Sequence, residues 1–373
     1  MTSSSDHQRP DLLGFFPDEL GEFLQALGEP PYRARQLFAW LHRGASFEEM
    51  TDLPAPLRRR LAELACAGTL TLAARQTAPD GATKFGFHTA DGHLIETVLI
   101  PHANRNTLCL SSQIGCAFAC QFCATGQQGL TRSLRPGEIV EQAIRVEQDC
   151  GRRQAPAQRS VRLRNIVFMG MGEPLANYDG VLKAVRLLNS PHGLAIGARH
   201  IAISTCGLPA QIRRLAEEGL QVALAVSLHA ATDSVRTQLL PINRRHPIAE
   251  VMAAARYFVE KTGRKLAIQY VVIPDLNDTP DQADRLTALL RGLPAMVNLI
   301  PRNPVDESAR PDPSAALRFA RLLRVHGLEV VVRRSRGGEV LGACGQLASR
   351  QAKEKAGRRS RPARKHRQTG RSA

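Results

Sequence analysis

The sequence is notable first for what it has little of. Its start, Met1-Thr2-Ser3-Ser4-Ser5-Asp6, carries no apolar run that could act as a signal peptide. Nowhere do about 18 apolar residues follow one another, which excludes a transmembrane helix. Acidic residues are scarce: 34 Asp+Glu face 50 Lys+Arg, leaving a net charge of +16. A cytoplasmic protein with no membrane span is expected, and the charge favours a polyanionic partner without choosing which. Eight cysteines in a reducing compartment point to metal binding or chemistry before structural disulfides. There is no internal repeat.

What is present divides the 373 residues into five stretches. Residues 1–11 read as a flexible leader. Residues 12–68 form a small helical module rich in arginine, with apolar residues such as Leu20, Phe23, Leu24 and Leu27 at helical spacing. Residues 69–103 read as a β meander, because Asp80-Gly81 and Asp91-Gly92 separate three short strand patterns. From 104 to 347, strands near 107–111, 165–169, 200–204, 221–228, 266–273 and 297–300, with a later one near 328–333, alternate with amphipathic helices near 137–148, 179–188, 208–218, 248–262 and 279–290. That alternation predicts an α/β fold with a parallel sheet, open or curled into a partial barrel, and ligands at the C-terminal strand ends. Residues 348–373 are a basic, low-complexity tail. Residues 350–373 hold ten Lys/Arg and one Glu, so nine of the sixteen excess positive charges lie there.

The most specific chemical feature is Cys116-Ala-Phe-Ala-Cys120-Gln-Phe-Cys123, just after the first parallel strand. Three thiolates can wrap one metal centre from a single loop. A structural zinc site would need a fourth ligand from elsewhere. A cubane iron–sulfur cluster held by three cysteines would keep one iron open. The spacing and its place in a βα array resemble the radical S-adenosylmethionine (SAM) superfamily. The second parallel strand ends in Gly170-Met-Gly172-Glu173, which is not a P-loop because no Gly-Lys-Ser/Thr follows. In that superfamily such an element grips the methionine ammonium. The next strands end in Ser204-Thr205-Cys206 and Ser227-Leu228-His229-Ala230, whose polar residues suggest a lined ligand site, although His229 alone would more often be structural. Cys109 reads as a small buried residue, and Glu96 could equally be a solvent-facing strand carboxylate. Cys344, flanked by glycines, sits in an accessible segment around a soft nucleophile.

Eight segments in order resemble the RlmN/Cfr family of radical SAM adenosine methyltransferases: Glu96–Pro101, Thr107–Ala117, Cys123–Gly129, Met169–Asn177, Ser227–Ala230, Leu240–Asn243, Asn298–Pro301 and Ala343–Leu347. The resemblance runs from about Leu20 to Leu347. It implies a radical SAM partial (β/α)6 barrel behind an RNA-binding helical module, a [4Fe-4S] cluster on Cys116, Cys120 and Cys123, and S-adenosylmethionine contacts from Gly172, Glu173, Ser204, Ser227, Leu228, His229 and Asn303. It further implies that Cys344 is methylated by one S-adenosylmethionine and that a 5′-deoxyadenosyl radical from a second takes hydrogen from that S-methyl group. The methylene radical then adds to an adenine carbon, Glu96 accepts a proton, and Cys109 releases the product through a disulfide with Cys344. The expected partners are 23S rRNA or tRNA and an electron donor such as flavodoxin or ferredoxin. RlmN-like C2 methylation leads over Cfr-like C8 methylation. The chain departs from the family after Asn303, where the loop looks trimmed, and at Gly338-Glu-Val-Leu-Gly342, both on the substrate side. A zinc-stabilised RNA-binding protein, or a radical SAM enzyme acting on a peptide or small molecule, are the rival readings.

Overall fold

The computed structural model describes residues 9–103, 105–153, 163–303 and 312–347. The first eight residues, the basic segment 348–373 and most of the loop after Asn303 lie outside the described residues. Three helices build the N-terminal region: α1 (Pro17–Ala26), α2 (Arg33–Leu41) and α3 (Ala55–Leu64). Leu20 and Leu24 of α1, Leu37, Phe38 and Leu41 of α2, and Leu57 and Leu61 of α3 are buried, so each helix turns one apolar stripe inward. Several arginines here are engaged within the protein. Arg33 pairs with Glu29 at 2.9 Å, Arg60 donates to the Leu27 carbonyl at 2.9 Å, and Arg58 donates to the Glu48 carbonyl.

The expected flexible leader is fixed in its last three residues. Arg9 donates to the Ala62 carbonyl at 2.8 Å, and the Cys66 N–H donates to the Pro10 carbonyl at 2.9 Å. The Asp11 carboxylate accepts from the Leu13 and Gly68 N–H groups, each at 3.2 Å. Once buried, these backbone groups need partners, and the chain finds them across the module.

The meander strands β1 (Thr71–Thr77), β2 (Thr83–His88) and β3 (Leu94–His102) pair antiparallel as their turns predict. They do not form a separate layer, because β3 also pairs with β4 (Arg105–Cys109). From β4 the sheet runs parallel through β7 (Leu163–Phe168), β8 (Ile201–Thr205), β9 (Ala223–Ser227), β10 (Leu266–Val272), β11 (Ala295–Pro301) and β12 (Val330–Val332). One ten-stranded sheet results. Between β4 and β7 lies a hairpin that the sequence reading did not anticipate, β5 (Gln113–Cys116) with β6 (Gly129–Ser133), and it brackets the cysteine loop.

Helices α4 (Pro136–Arg153), α5 (Tyr178–Asn189), α6 (Pro209–Glu217), α8 (Ile248–Thr262) and α9 (Pro280–Leu290) lie where periodicity puts them. Two more, α7 (Asp233–Leu239) and α10 (Ser314–Val325), were not expected; α7 is only seven residues long, too short for a periodic signal. Along the strands, Ile166, Phe168, Ile203, Leu224, Val226, Ile268, Tyr270, Val297 and Leu299 are buried in the apolar core. They alternate with Val167, Ser204, Ala225, Ser227, Gln269 and Asn298, which share the other face by strand register. Four strands separate β4 from β11, yet Cys109, Asn298 and Ile300 line the same cavity. The sheet is therefore rolled into a partial barrel around that second face. Among the described residues no helix is long and apolar enough to cross a membrane.

Candidate active site

The cysteine loop leaves the sheet at Cys116, the last residue of β5. Its tight course needs Ala119 at φ +50° and no side chain at Gly126, where a Cβ would come within 2.9 Å of the Cys120 nitrogen. The Cys123 N–H donates to the Cys120 carbonyl at 3.1 Å, and the Gln121 N–H reaches the Leu239 carbonyl of α7 at 3.0 Å. The three thiols are half-buried. Burial pushes Cys116 up to about 11 and Cys120 higher still, with Cys123 and the Glu173 carboxylate adding to both shifts. Without a cation Cys116 and Cys120 stay protonated at neutral pH, and a bound metal centre would hold them as thiolates. Among the described residues no three metal-binding side chains are drawn to ligand spacing. The loop nonetheless supplies three soft sulfur donors from one turn of chain, the donor chemistry an iron–sulfur cluster takes.

Cys344 is distant in sequence and docked against this loop. The Ala124 N–H donates to the Gly345 carbonyl at 2.7 Å, and Thr125 Oγ1 donates to the Leu347 carbonyl at 2.6 Å. Gly345, at φ +83°, must be glycine here: a Cβ would stand 2.9 Å from the Phe122 carbonyl oxygen. Asn303 Nδ2 donates to the Cys344 carbonyl at 3.0 Å, while its Oδ1 accepts from Ser335 Oγ at 2.6 Å. Cys344 is exposed and Cys109 is buried; both are free thiols, and both line one cavity of about 660 Å³. Burial pushes Cys109 up to about 12, and Cys344 is close enough to add to the shift.

The strand ends carry a partnered polar network. Gly172, at φ +94°, lies against Gln113, whose Cβ would be 2.4 Å from any Cβ placed on it. The buried Glu173 carboxylate accepts from the Leu175 N–H at 3.1 Å and from the Cys206 N–H at 2.8 Å, clipping the end of β7 to the end of β8. Ser204 Oγ and Ser227 Oγ lie 3.4 Å apart. His229 stands at φ +61° with its ring edge-on to Phe122, centroids 4.7 Å apart. Its Nδ1 accepts from the Val271 N–H at 2.9 Å, and burial pushes its pKa down to about 3. The ring is therefore neutral with its proton on Nε2.

Sequence reasoning missed three residues. Arg236, fully buried, donates to the Cys206, Ser227 and Leu228 carbonyls and to Asn243 Oδ1, tying two strand ends together. Gln269 is in register with Ser227 and Asn298, and neither its side-chain oxygen nor its nitrogen has a partner among the described residues. Lys84 pairs with Glu96 at 3.0 Å. Glu96 is buried and not a solvent-facing carboxylate. Register places Lys84, Glu96, Val98 and Cys109 on one face of the sheet. No sequence signal singles out Gln269 or Lys84, while Arg236 lies just before the Leu240–Asn243 segment. Of the expected site residues, Cys109, Asn303 and Cys344 line the cavity; the cysteine loop and Glu173 sit beside each other, and Glu96 lies on the Cys109 face outside the cavity lining.

Comparison with known proteins adds to this geometry. Residues 110–286 match the radical SAM superfamily, and residues 10–67 match the ribosomal RNA large subunit methyltransferase N-terminal domain. A dual-specificity RNA methyltransferase RlmN from Anaeromyxobacter dehalogenans is 48% identical over 347 residues, 91% of this chain and 92% of its own. A probable dual-specificity RNA methyltransferase RlmN from Geobacillus kaustophilus is 43% identical over 349 residues, 92% and 94% of the two chains. The crystal structure of a radical SAM methyltransferase from Sphaerobacter thermophilus superposes with a TM-score of 0.85 at 44% identity, covering 91% of this chain and 99% of that one.

Proposed function

The chain belongs to the RlmN family of radical SAM RNA methyltransferases, and we propose that it methylates C2 of an adenosine in 23S rRNA and tRNA, with Cys344 as methyl carrier and two S-adenosylmethionine molecules consumed per turnover. The family's cofactors are a [4Fe-4S] cluster and S-adenosylmethionine. Cys116, Cys120 and Cys123 hold the cluster, which when bound supplies the electron for reductive cleavage of S-adenosylmethionine. The electron comes from a small donor protein such as flavodoxin or ferredoxin, and the reaction runs in the cytoplasm.

The remaining roles fall to the chain's own residues. Gly172 gives the cofactor close access to backbone, and Glu173 offers its remaining lone pairs to the methionine ammonium. Ser204, Ser227 and Leu228 line the ribose side, and the neutral His229 presents Nε2–H as a donor. Asn303 contacts the cofactor and holds the Cys344 carbonyl. Glu96, with Lys84 as counter-charge, takes the proton lost from the adenine carbon once Cys344 is joined to it through the methylene group, and the unpaired electron of that adduct would return to the cluster held by the three cysteines. Cys109, deprotonated, then attacks the Cys344 sulfur. The bond from that sulfur to the methylene carbon breaks, that carbon takes up the proton Cys109 gave up so that the base leaves methylated, and a Cys109–Cys344 disulfide remains.

The observation that carries this reading is the single cavity shared by Cys109 and Cys344, with the Cys344 segment hydrogen-bonded to the cysteine loop. With reconstituted enzyme, Cys344→Ala should abolish RNA methylation and Cys109→Ala should accumulate a covalent protein–RNA adduct visible by mass spectrometry. Full turnover by Cys344→Ala would overturn the carrier role. Methyl groups mapped to C8 would replace the C2 assignment.

A further inference from the structure

The cavity that holds Cys109 and Cys344 has a second end. Five arginines and two histidines line it, and among the described residues no carboxylate does. Arg105 opens β4, and Arg199 and His200 immediately precede β8, so these side chains mark the N-terminal ends of the strands, opposite Cys109. His102 stands across from Arg105 on β3. Arg333 and Arg336 come from the segment that follows β12, Arg336 reaching Pro101 beside His102, and Arg333 near enough to both His102 and Cys109 to act on each. Asn165, its amide turned to satisfy both neighbours, bridges His200 Nδ1 at 3.0 Å and Arg105 Nε at 3.1 Å. Arg336 donates to the Pro101 carbonyl. Burial lowers the pKa of His102, and Arg336, Arg105 and Arg333 lower it further, so the cations act on one another across the opening.

A cluster of like charges held together by neutral carbonyls and amides repels itself and needs an external anion. The N-terminal module differs, since Arg33 there already has a carboxylate. The chemistry behind the opening narrows the anion. Ile100, Val167, Met169 and Ile300 make the wall apolar, and about 660 Å³ lies within the range that accepts a small organic ligand. An extruded nucleotide needs that combination: an apolar pocket for the base and guanidinium forks for the phosphates on either side. A flat membrane surface would satisfy the cations but could not fill the pocket.

We propose that this arginine-lined mouth is the entry port for the RNA substrate, with Arg105, Arg199, Arg333 and Arg336 holding the phosphates that flank one flipped adenosine while its base passes up the barrel to Cys344. The inference rests on the RNA-methylation reading and adds where the RNA binds and by which residues.

The test uses anaerobically reconstituted full-length enzyme, a transcribed tRNA and a 23S rRNA fragment, with affinities measured across a KCl series. Arg105→Gln, Arg199→Gln and Arg333→Gln should each weaken binding of both RNAs roughly three- to tenfold and lower the slope of log K against log salt by about one. Arg105→Lys should restore the slope. Iron content and S-adenosylmethionine affinity at wild-type levels show that each variant is folded. A triple variant with wild-type RNA affinity and slope would overturn the entry port while leaving the methyltransferase reading standing. Wild-type enzyme that binds neither RNA would overturn that reading as well. Variants that lose binding to phosphatidylglycerol vesicles while keeping RNA affinity would reassign the mouth to a membrane surface.

Discussion

The two ends of the barrel are polar in opposite ways. At the C-terminal strand ends the buried charged and polar groups, Gln269 apart, have partners in the protein itself: Glu173 accepts two backbone N–H groups, Arg236 donates to four carbonyls and an amide oxygen, and Asn303 binds Cys344 and Ser335. At the other end, exposed and half-buried arginines gather, and among the described residues no carboxylate lines the cavity. A satisfied network in low dielectric is rigid and fixes positions. Cations held by neutral amides and carbonyls are open to a ligand that brings its own negative charge. On the proposals above, one end orients a cofactor and the other captures a polyanion.

Breaking the satisfied end should have the largest effect. Arg236→Met leaves the Cys206, Ser227 and Leu228 carbonyls without their buried donor, at roughly 3–5 kcal/mol in total. The expected result is a lower denaturant midpoint together with weakened S-adenosylmethionine binding, and Arg236→Lys should recover part of each. An unchanged midpoint would show that the two strand ends hold each other without it.

A smaller effect is expected at Lys84, which belongs to the same face of the sheet as Cys109. Lys84→Met removes the counter-charge from Glu96 and should slow methylation about tenfold, with protein–RNA adduct accumulating because the base cannot lose its proton. Lys84→Arg should behave nearly as wild type. Equal rates for Lys84→Met and wild type, with no adduct on a denaturing gel, would remove Lys84 from the reaction.

The smallest effect at neutral pH concerns His42, a buried group unpartnered at both ring nitrogens and stacked on Phe38 at 4.0 Å. Burial pushes its pKa down to about 4, below the ordinary value near 6.5. As pH falls the unfolded chain takes up the proton first. The stability this ring contributes is therefore complete above pH 6.5 and drains away between 6.5 and about 4, by up to about 1.4 kcal/mol per pH unit. In His42→Phe, unfolding free energy plotted against pH should flatten across that window; a slope equal to wild type would place the acid sensitivity elsewhere.

Much of this molecule was legible before folding. The three-cysteine loop, the Gly172-Glu173 strand end and most parallel strands follow from spacing and apolar alternation, which are local properties. The hairpin of β5 and β6 was not legible, because Gln113–Cys116 and Gly129–Ser133 are short and do not alternate clearly. Glu96 read equally well as exposed, since a strand carboxylate shows its face only once its neighbours are placed. Lys84 and Gln269 carried no signal, because each acquires its surroundings from strand register alone.

The sequence by itself determined the family, the three-cysteine loop and the α/β alternation, since each of these is written in residues a few positions apart. Tertiary structure decided what shares a site. Thr125 meets Leu347 across 222 positions, and Arg336 meets Pro101 across 235. Those contacts exist because ten strands pair in one register and the sheet curls until β4 and β11 face a common cavity. Periodicity cannot encode such closure; it depends on burying the helices against one face of the sheet, which leaves the other face to hold the thiols and the cluster of arginines in one cavity.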